Sequence, residues 1–240
     1  MHRKAKSTED WQDYGIEKMK ALSGFLEANF TEERVSLMRE IAAQRTRHIS
    51  VVLEDIYQSH NASAVLRSCD CFGIQDVHII ENRNEWNHHP LVERGSSKWL
   101  NIHRYNSSEN NSAECLKSLK GQGFTTIATS PHAEMLIDEV PLDKPVALIF
   151  GTEMEGISEY VRREADICCS VPMYGFTESF NISVAAAVCL HSLRSRLEQL
   201  PDKGSLSPLE REKLFILWTS RSMRHFDEVL ERFKEHGGEP

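Results

Sequence analysis

The chain has 240 residues and a formal net charge of −8, from 28 basic and 36 acidic side chains. A content of 40% hydrophobic and 27% charged residues is typical of a folded globular chain and argues against an intrinsically disordered one. Because no segment approaches the roughly 20 apolar residues that cross a bilayer, and no apolar run follows the basic N-terminus, we expect no membrane span, no signal peptide and a cytoplasmic location.

Residues 1–48 predict an N-terminal helical extension. Apolar residues recur at helical spacing over 8–29 and 31–46, and Thr31 suits the N-cap of the second helix. Four arginines stand against one acid over residues 34–48. Such a local cluster can contact RNA phosphates even in an acidic chain, although a solvated helix face would have the same composition.

Residues 49–200 alternate short apolar runs with helical stretches. Near-continuous apolar strands separated by helices predict an α/β domain, with a parallel sheet covered by helices on both faces. The predicted strands lie at 49–53, 77–80, 100–102, 125–128, 146–150 and 167–171, and the predicted helices at 61–72, 112–121, 158–165 and 180–199.

Residues 201–240 predict a C-terminal helical extension. A polar, turn-rich linker over 201–208 precedes a charged amphipathic helical region over 209–236. Basic residues cluster again over 211–225, with the same two interpretations as in the N-terminal extension.

The cysteines and histidines do not predict a metal site. The six cysteines form no C-x-x-C pair and no disulfide-like spacing, so we expect free thiols in a reducing compartment. Adjacent residues point apart, so we interpret His88-His89 as a solvated pair rather than as metal ligands.

Three segments that follow predicted strands carry the polar residues of a candidate site. Ligands of open parallel sheets bind beyond the carboxyl ends of the strands. Asn61 to Arg67 follows the first strand, and Asn61 can cap the helix that starts there. The 150–156 segment has two glycines and two acids; without the lysine of a phosphate-binding loop, it suits a ligand with positive charge or hydroxyl donors. Ser179 and Asn181 begin an alanine-rich helix.

Taken together, these segments resemble the SpoU family of RNA ribose 2′-O-methyltransferases. The shared patterns are Asn-x-x-Ala-x-x-Arg, Phe-Gly-x-Glu-x-x-Gly and Pro-Met-x-Gly-x-x-x-Ser-x-Asn-x-Ser-Val-Ala, within residues 49–200. The helical flanks most resemble the branch of the family that methylates guanosine 18 of tRNA. The resemblance implies a SPOUT-type fold with a C-terminal trefoil knot, S-adenosyl-L-methionine as cofactor, no metal, and a homodimer whose RNA site is built from both subunits.

The resemblance also implies roles for individual residues. A guanidinium stays protonated, so we expect Arg67 to hold the phosphate and the hydroxyl, and we leave open whether it also removes the proton. The family often has Ile where this chain has Val171 and Leu where it has Phe180, and both differences keep an apolar wall. The implied catalytic residues are Arg67, Asn61, Glu153, Ser179 and Asn181; the implied cofactor-binding residues are Thr129, Gly151, Val171 and Phe180; and the expected RNA-contacting residues of the basic clusters are Arg45, Arg47, Arg221 and Arg224.

Three alternatives remain at this point. Family members share the catalytic motifs but differ in target, so the substrate could be rRNA, although the short flanks favour tRNA. A non-catalytic RNA-binding protein could keep the fold, although Arg67, Glu153 and Asn181 are intact. A nicotinamide dehydrogenase would fit the α/β pattern, but the glycine fingerprint of that class is absent.

Overall fold

A computed structural model describes residues 11–86, 95–200 and 204–235. Contacts between residues divide the chain into two compact units. The helical unit combines the residues up to Arg45 with those from Ser205 onward, so the two predicted extensions belong to one unit. The sheet unit spans Thr46–Gly204.

The described residues form eight α-helices and seven β-strands. The helices are α1 (Ile16–Glu27), α2 (Glu32–Gln44), α3 (Ser59–Cys71), α4 (Asn111–Gly121), α5 (Glu159–Glu164), α6 (Ile182–Leu197), α7 (Pro208–Ser222) and α8 (Phe226–Glu235). The strands are β1 (Ile49–Glu54), β2 (Asp76–Ile80), β3 (Asn101–Tyr105), β4 (Thr125–Thr129), β5 (Met135–Leu136), β6 (Val146–Phe150) and β7 (Ile167–Ser170).

The seven strands form one parallel sheet in the order β3-β2-β1-β6-β4-β7-β5. In the centre, β1 pairs on one side with β2, through Val51 and Val77, and on the other with β6, through Leu53 and Phe150. The predicted parallel sheet is therefore confirmed. The trefoil knot implied by the family resemblance stays a prediction.

Helices cover both faces of this sheet, as predicted. Val51 and Leu53 of β1 point to a core that includes Leu66 of α3 and Leu190 of α6. Val52, between them, points to the opposite core with residues of α4 and α5. Every residue of β1 is buried, and burying a side chain such as Leu53 contributes about 1.5–3 kcal/mol, which explains why this strand is a continuous apolar run.

The helical unit has its own apolar core. Residues of α1, α7 and α8 pack in it together with Trp11, which precedes α1. The helix predicted over 8–29 is shorter than expected. It begins at Ile16, and residues 8–10 lie outside the described residues.

Among the helices of the described ranges, none combines the length and apolar character that a bilayer crossing requires.

The helical region predicted over 209–236 is confirmed within the described residues, where it consists of two helices. Met223 takes an extended backbone conformation at the end of α7, and α8 begins at Phe226. Ser207 and Glu210 form a reciprocal cap at the start of α7, with Pro208 at its first position. Residues 201–203 of the predicted linker, and residue 236 at the end of the predicted helix, lie outside the described residues.

Candidate active site

The three motif segments meet through the side chain of Asn61, which is only 3% exposed. Its amide nitrogen Nδ2 donates to Oε1 of Glu153 at 2.8 Å, and its oxygen Oδ1 accepts from Nδ2 of Asn181 at 3.2 Å. The expectation that Asn61 caps its helix is wrong: α3 begins at Ser59 with Gln58 at the N-cap, so the Asn61 side chain is free to bridge the other two segments.

Asn181 has the capping role instead, at the start of α6. Its Oδ1 accepts from the backbone nitrogen of Ser183 at 2.9 Å and from the Ser183 hydroxyl at 2.6 Å. The Asn181 Nδ2 group therefore points to Asn61, and the helix cap fixes the orientation of this amide. Ser183 supports the network without having been assigned a role from the sequence.

Glu153 lies in a tight loop after β6, residues 151–158, which we call the acidic loop. Thr152 and Gly156 exchange two backbone hydrogen bonds across it, at 2.9 and 3.0 Å. Gly156 has a φ of +71°, which favours glycine. A Cβ atom on Gly151 would lie 2.1 Å from the Gly156 backbone, so only glycine fits there. Gly151 is thus explained by the close approach of the two sides of the loop, and Gly156 by its left-handed backbone conformation.

A cavity of about 320 Å³ opens beside the acidic loop. All four residues expected to hold the cofactor line it: Thr129, Gly151, Val171 and Phe180. Two of the expected catalytic residues, Glu153 and Ser179, line it as well. Several other lining residues have no role predicted from the sequence, among them Ser130, His132, Phe150, Arg162, Cys169 and Cys189.

The cavity joins an apolar, uncharged wall to an acidic mouth. Burial raises the pKa of the Cys169 and Cys189 thiols to about 12, so both stay neutral. The Thr129 hydroxyl donates to the Ile149 carbonyl at 2.8 Å, so it is satisfied within the sheet. Glu153 and Glu155 also line the cavity. Arg83 pairs with Glu155 at 2.9 Å, so it is the Glu153 carboxylate that favours a ligand with positive charge.

Arg67 lies apart from this network within its own chain. It is exposed on α3, six residues after Asn61, which is about 9 Å further along the helix axis. It is not among the residues that line the cavity. Within the described residues, no hydrogen bond or ion pair engages its guanidinium, so its positive charge is available to an incoming group.

The four arginines expected to contact RNA differ in their surroundings. Arg45 is only 3% exposed, and its guanidinium lies 5.3 Å from the centre of the Trp218 ring. The expectation that Arg45 contacts RNA is therefore wrong, because this side chain is buried in the helical unit by a cation–π contact. Arg47 belongs to the sheet unit and pairs with Asp76 at 3.1 Å, while Arg221 and Arg224 are exposed.

The remaining polar clusters do not form a metal centre in the part of the chain that the structure describes. No group of three or more histidine, cysteine, aspartate or glutamate residues there has the arrangement of metal ligands. His88 and His89 lie outside the described residues. All six cysteines are free thiols.

More than half of the chain, residues 48–191, matches the SpoU rRNA Methylase family. The tRNA (guanosine(18)-2′-O)-methyltransferase of Borreliella burgdorferi is 34% identical over 204 residues, which are 85% of this chain and 92% of that protein. The protein of the same name from Thermus thermophilus is 34% identical over 191 residues, which are 78% of this chain and 96% of that protein.

Other similarities are to an rRNA enzyme and to a solved structure. The 23S rRNA (guanosine-2′-O-)-methyltransferase RlmB of Coxiella burnetii is 26% identical, over 68% of this chain and 64% of that protein. The crystal structure of the A. aeolicus TrmH/SpoU tRNA modifying enzyme superposes with a TM-score of 0.71 and 28% identity, over 80% of this chain and 98% of that one.

Proposed function

Because the chain belongs to the SpoU rRNA methylase family, we propose that it methylates the ribose 2′-hydroxyl of guanosine 18 in tRNA, in the cytoplasm, with S-adenosylmethionine as methyl donor. The observation that carries this proposal is the network in which Asn61 joins Glu153 and Asn181 at the edge of a ligand-sized cavity. The names of the Borreliella and Thermus relatives, which the chain matches over nearly their full length, support tRNA as the substrate.

The cavity fits the cofactor. Its volume of about 320 Å³ is within the range of small-molecule sites, roughly 300–1,000 Å³. When bound, S-adenosylmethionine supplies a methyl group on a positively charged sulfur, and the carboxylate of Glu153 matches that charge. Thr129 and Gly151 would hold the cofactor through backbone groups, and the apolar wall would be supplied by residues such as Val171, Phe180 and Ile182.

The residues around the cavity mouth can orient the ribose. The Asn61 amide donates to Oε1 of Glu153. Within the described residues the second oxygen of this carboxylate has no partner, so it can accept a hydrogen bond from the substrate hydroxyl. Ser179 adds a hydroxyl beside Phe180. Since Asn61 and Asn181 fix the direction of the Glu153 carboxylate, the 2′-oxygen is held in one position, which is what an in-line displacement requires.

Arg67 would supply the positive charge that holds the RNA phosphate and the reacting hydroxyl. Because it does not line the cavity of its own chain, we propose that the protein works as a homodimer in which each Arg67 serves the cavity of the other copy. Val184 and Val188, on α6, are 45% and 38% exposed and offer an apolar surface for this association. Light scattering at micromolar concentration should give the mass of two chains; an active monomer would contradict the shared site.

The helical unit would bind the body of the tRNA. Arg221 and Arg224 at the end of α7 are exposed, as contact with RNA phosphates requires. Arg47, in the sheet unit, is also exposed and forms an ion pair with Asp76. An RNA phosphate would compete with Asp76 for the Arg47 guanidinium. Arg45 is excluded from this role by its burial.

A second candidate substrate is rRNA, which the likeness to the Coxiella enzyme favours. One experiment separates the candidates: incubation with methyl-labelled S-adenosylmethionine and either total tRNA or total rRNA, followed by mapping of the labelled nucleotide. We expect label in tRNA at guanosine 18. Label in rRNA alone would assign the rRNA function, and no label in either RNA would indicate a non-catalytic RNA-binding protein.

A further inference from the structure

Arg83 connects two loops at the edge of the candidate site. It follows β2, and its side chain is 59% exposed. Its terminal nitrogen donates to Oε2 of Glu155 at 2.9 Å, and its Nε lies 3.7 Å from Oδ2 of Asp55. Glu155 belongs to the acidic loop, whereas Asp55 directly follows β1, so one guanidinium contacts two separate segments.

The loop that carries Arg83 is itself firmly held. Asp55 is 4% exposed, and its Oδ1 accepts from the backbone nitrogens of Asn82 at 2.7 Å, Arg83 at 2.8 Å and Asn84 at 3.3 Å. In return, the Asn84 amide donates to the Asp55 carbonyl at 2.7 Å. Asp55 has a φ of +54°, a left-handed conformation that aspartate tolerates better than most residues. Arg83 therefore extends from a fixed base.

The acidic loop, in contrast, is attached at only a few positions. Glu54 holds its end, accepting from the backbone nitrogen and the hydroxyl of Ser158, both at 2.8 Å. Asn61 holds Glu153 on one side. Arg83 holds Glu155 on the other side, and the exposed Met154 lies between these two attachments.

We propose that Arg83 is a positioning residue for the methyl transfer: it fixes Glu155 and thereby the direction in which the acidic loop presents Glu153. This inference deepens the proposed function and rests on it. An exposed ion pair contributes little to global stability, so the expected effect of its loss is on the geometry of the loop and not on folding. Arg83 is absent from the three sequence motifs, and only the structure brings it to Glu155.

The test compares Arg83→Ala with Arg163→Ala. Arg163 is a matched control because it is 64% exposed and forms an ion pair of 2.8 Å, but with its sequence neighbour Glu164, so it joins no two segments. We expect Arg83→Ala to speed backbone hydrogen exchange in residues 152–157 by about 5-fold and to lower kcat by a similar factor, at an unchanged melting temperature. Arg163→Ala should change neither quantity.

Further variants separate positioning from direct RNA contact. Arg83→Lys keeps a cation near Glu155 and should restore kcat to within about 3-fold of wild type, while Glu155→Ala combined with Arg83→Ala should be no worse than Arg83→Ala alone. A raised KM for tRNA with an unchanged kcat would overturn the inference, because it would make Arg83 an RNA contact. If backbone hydrogen exchange in residues 152–157 were unchanged in Arg83→Ala, the inference would be overturned, whether or not the wild type is active. If the wild type methylated no RNA, only the proposed function would be overturned.

Discussion

The Asn61 amide donates to the Glu153 carboxylate at 2.8 Å across 92 residues of sequence. Asn61 is buried, so the bond is partly shielded from water, and the amide oxygen of Asn61 already accepts from Asn181. Glu153 therefore has one preferred orientation, and the cavity mouth is arranged before a substrate arrives.

Asn61→Asp tests this relationship through its pH dependence. The change places a second carboxylate against Glu153, and the two negative charges repel when both groups are ionised. The folded state is then penalised when both groups ionise, so the destabilisation should be small near pH 4 and reach about 2–3 kcal/mol at pH 8. Thermal unfolding across this range measures it. Asn61→Ala adds no repelling charge, so its destabilisation should vary much less with pH; equal curves for the two variants would refute the contact.

Gly151→Ala should abolish cofactor binding. The added Cβ would lie 2.1 Å from the Gly156 backbone, so the acidic loop must open and the cavity wall must move. Calorimetry with S-adenosylmethionine should show affinity reduced by at least about 100-fold. Gly24→Ala is the control, because a Cβ there meets nothing within 4 Å and the position is helical. Wild-type affinity in Gly151→Ala would contradict the described loop geometry.

Arg67→Ala should abolish methylation and leave S-adenosylmethionine binding intact. The side chain is exposed and lies outside the cavity, so its removal takes away a charge that acts on the RNA and not a contact to the cofactor. A methylation assay and calorimetry on the same preparation measure the two properties. Activity within a few-fold of wild type would remove Arg67 from the catalytic residues.

The combined variant Arg221→Glu and Arg224→Glu should weaken tRNA binding. Both side chains are exposed at the end of α7, and each lost phosphate contact should reduce the slope of log affinity against log salt by about one unit. Filter binding at several salt concentrations measures this slope. An unchanged affinity at low salt would make the two arginines an ordinary solvated surface.

Much of the sheet could be predicted from the sequence because each central strand is buried on both faces and is therefore apolar throughout. The meeting of Asn61, Glu153 and Asn181 was also predictable, since the carboxyl ends of parallel strands share one edge. β5, with the two residues Met135–Leu136, is too short to give a periodic pattern. The strand order, in which β6 lies between β1 and β4, depends on long-range packing that no local pattern encodes.

The errors at single residues have a similar origin. The basic sequence neighbourhood of Arg45 predicts a surface charge, but the side chain is buried and lies against Trp218, 173 residues later in the chain. An asparagine at the start of a predicted helix favours an N-cap role, but α3 begins two residues earlier and the Asn61 amide bonds to Glu153 instead. Arg83 had no signal in the sequence, because its partners Asp55 and Glu155 lie in different segments.

The most direct test of the central claim uses two tRNAs that differ in a single atom. One has guanosine at position 18 and the other has 2′-deoxyguanosine there, so that only the accepting hydroxyl is removed. With methyl-labelled S-adenosylmethionine, we predict label in the first tRNA and none in the second, while both bind the protein with similar affinity. Equal labelling of the two tRNAs would contradict the account, because the methyl group would then be transferred to an atom other than the 2′-oxygen of guanosine 18.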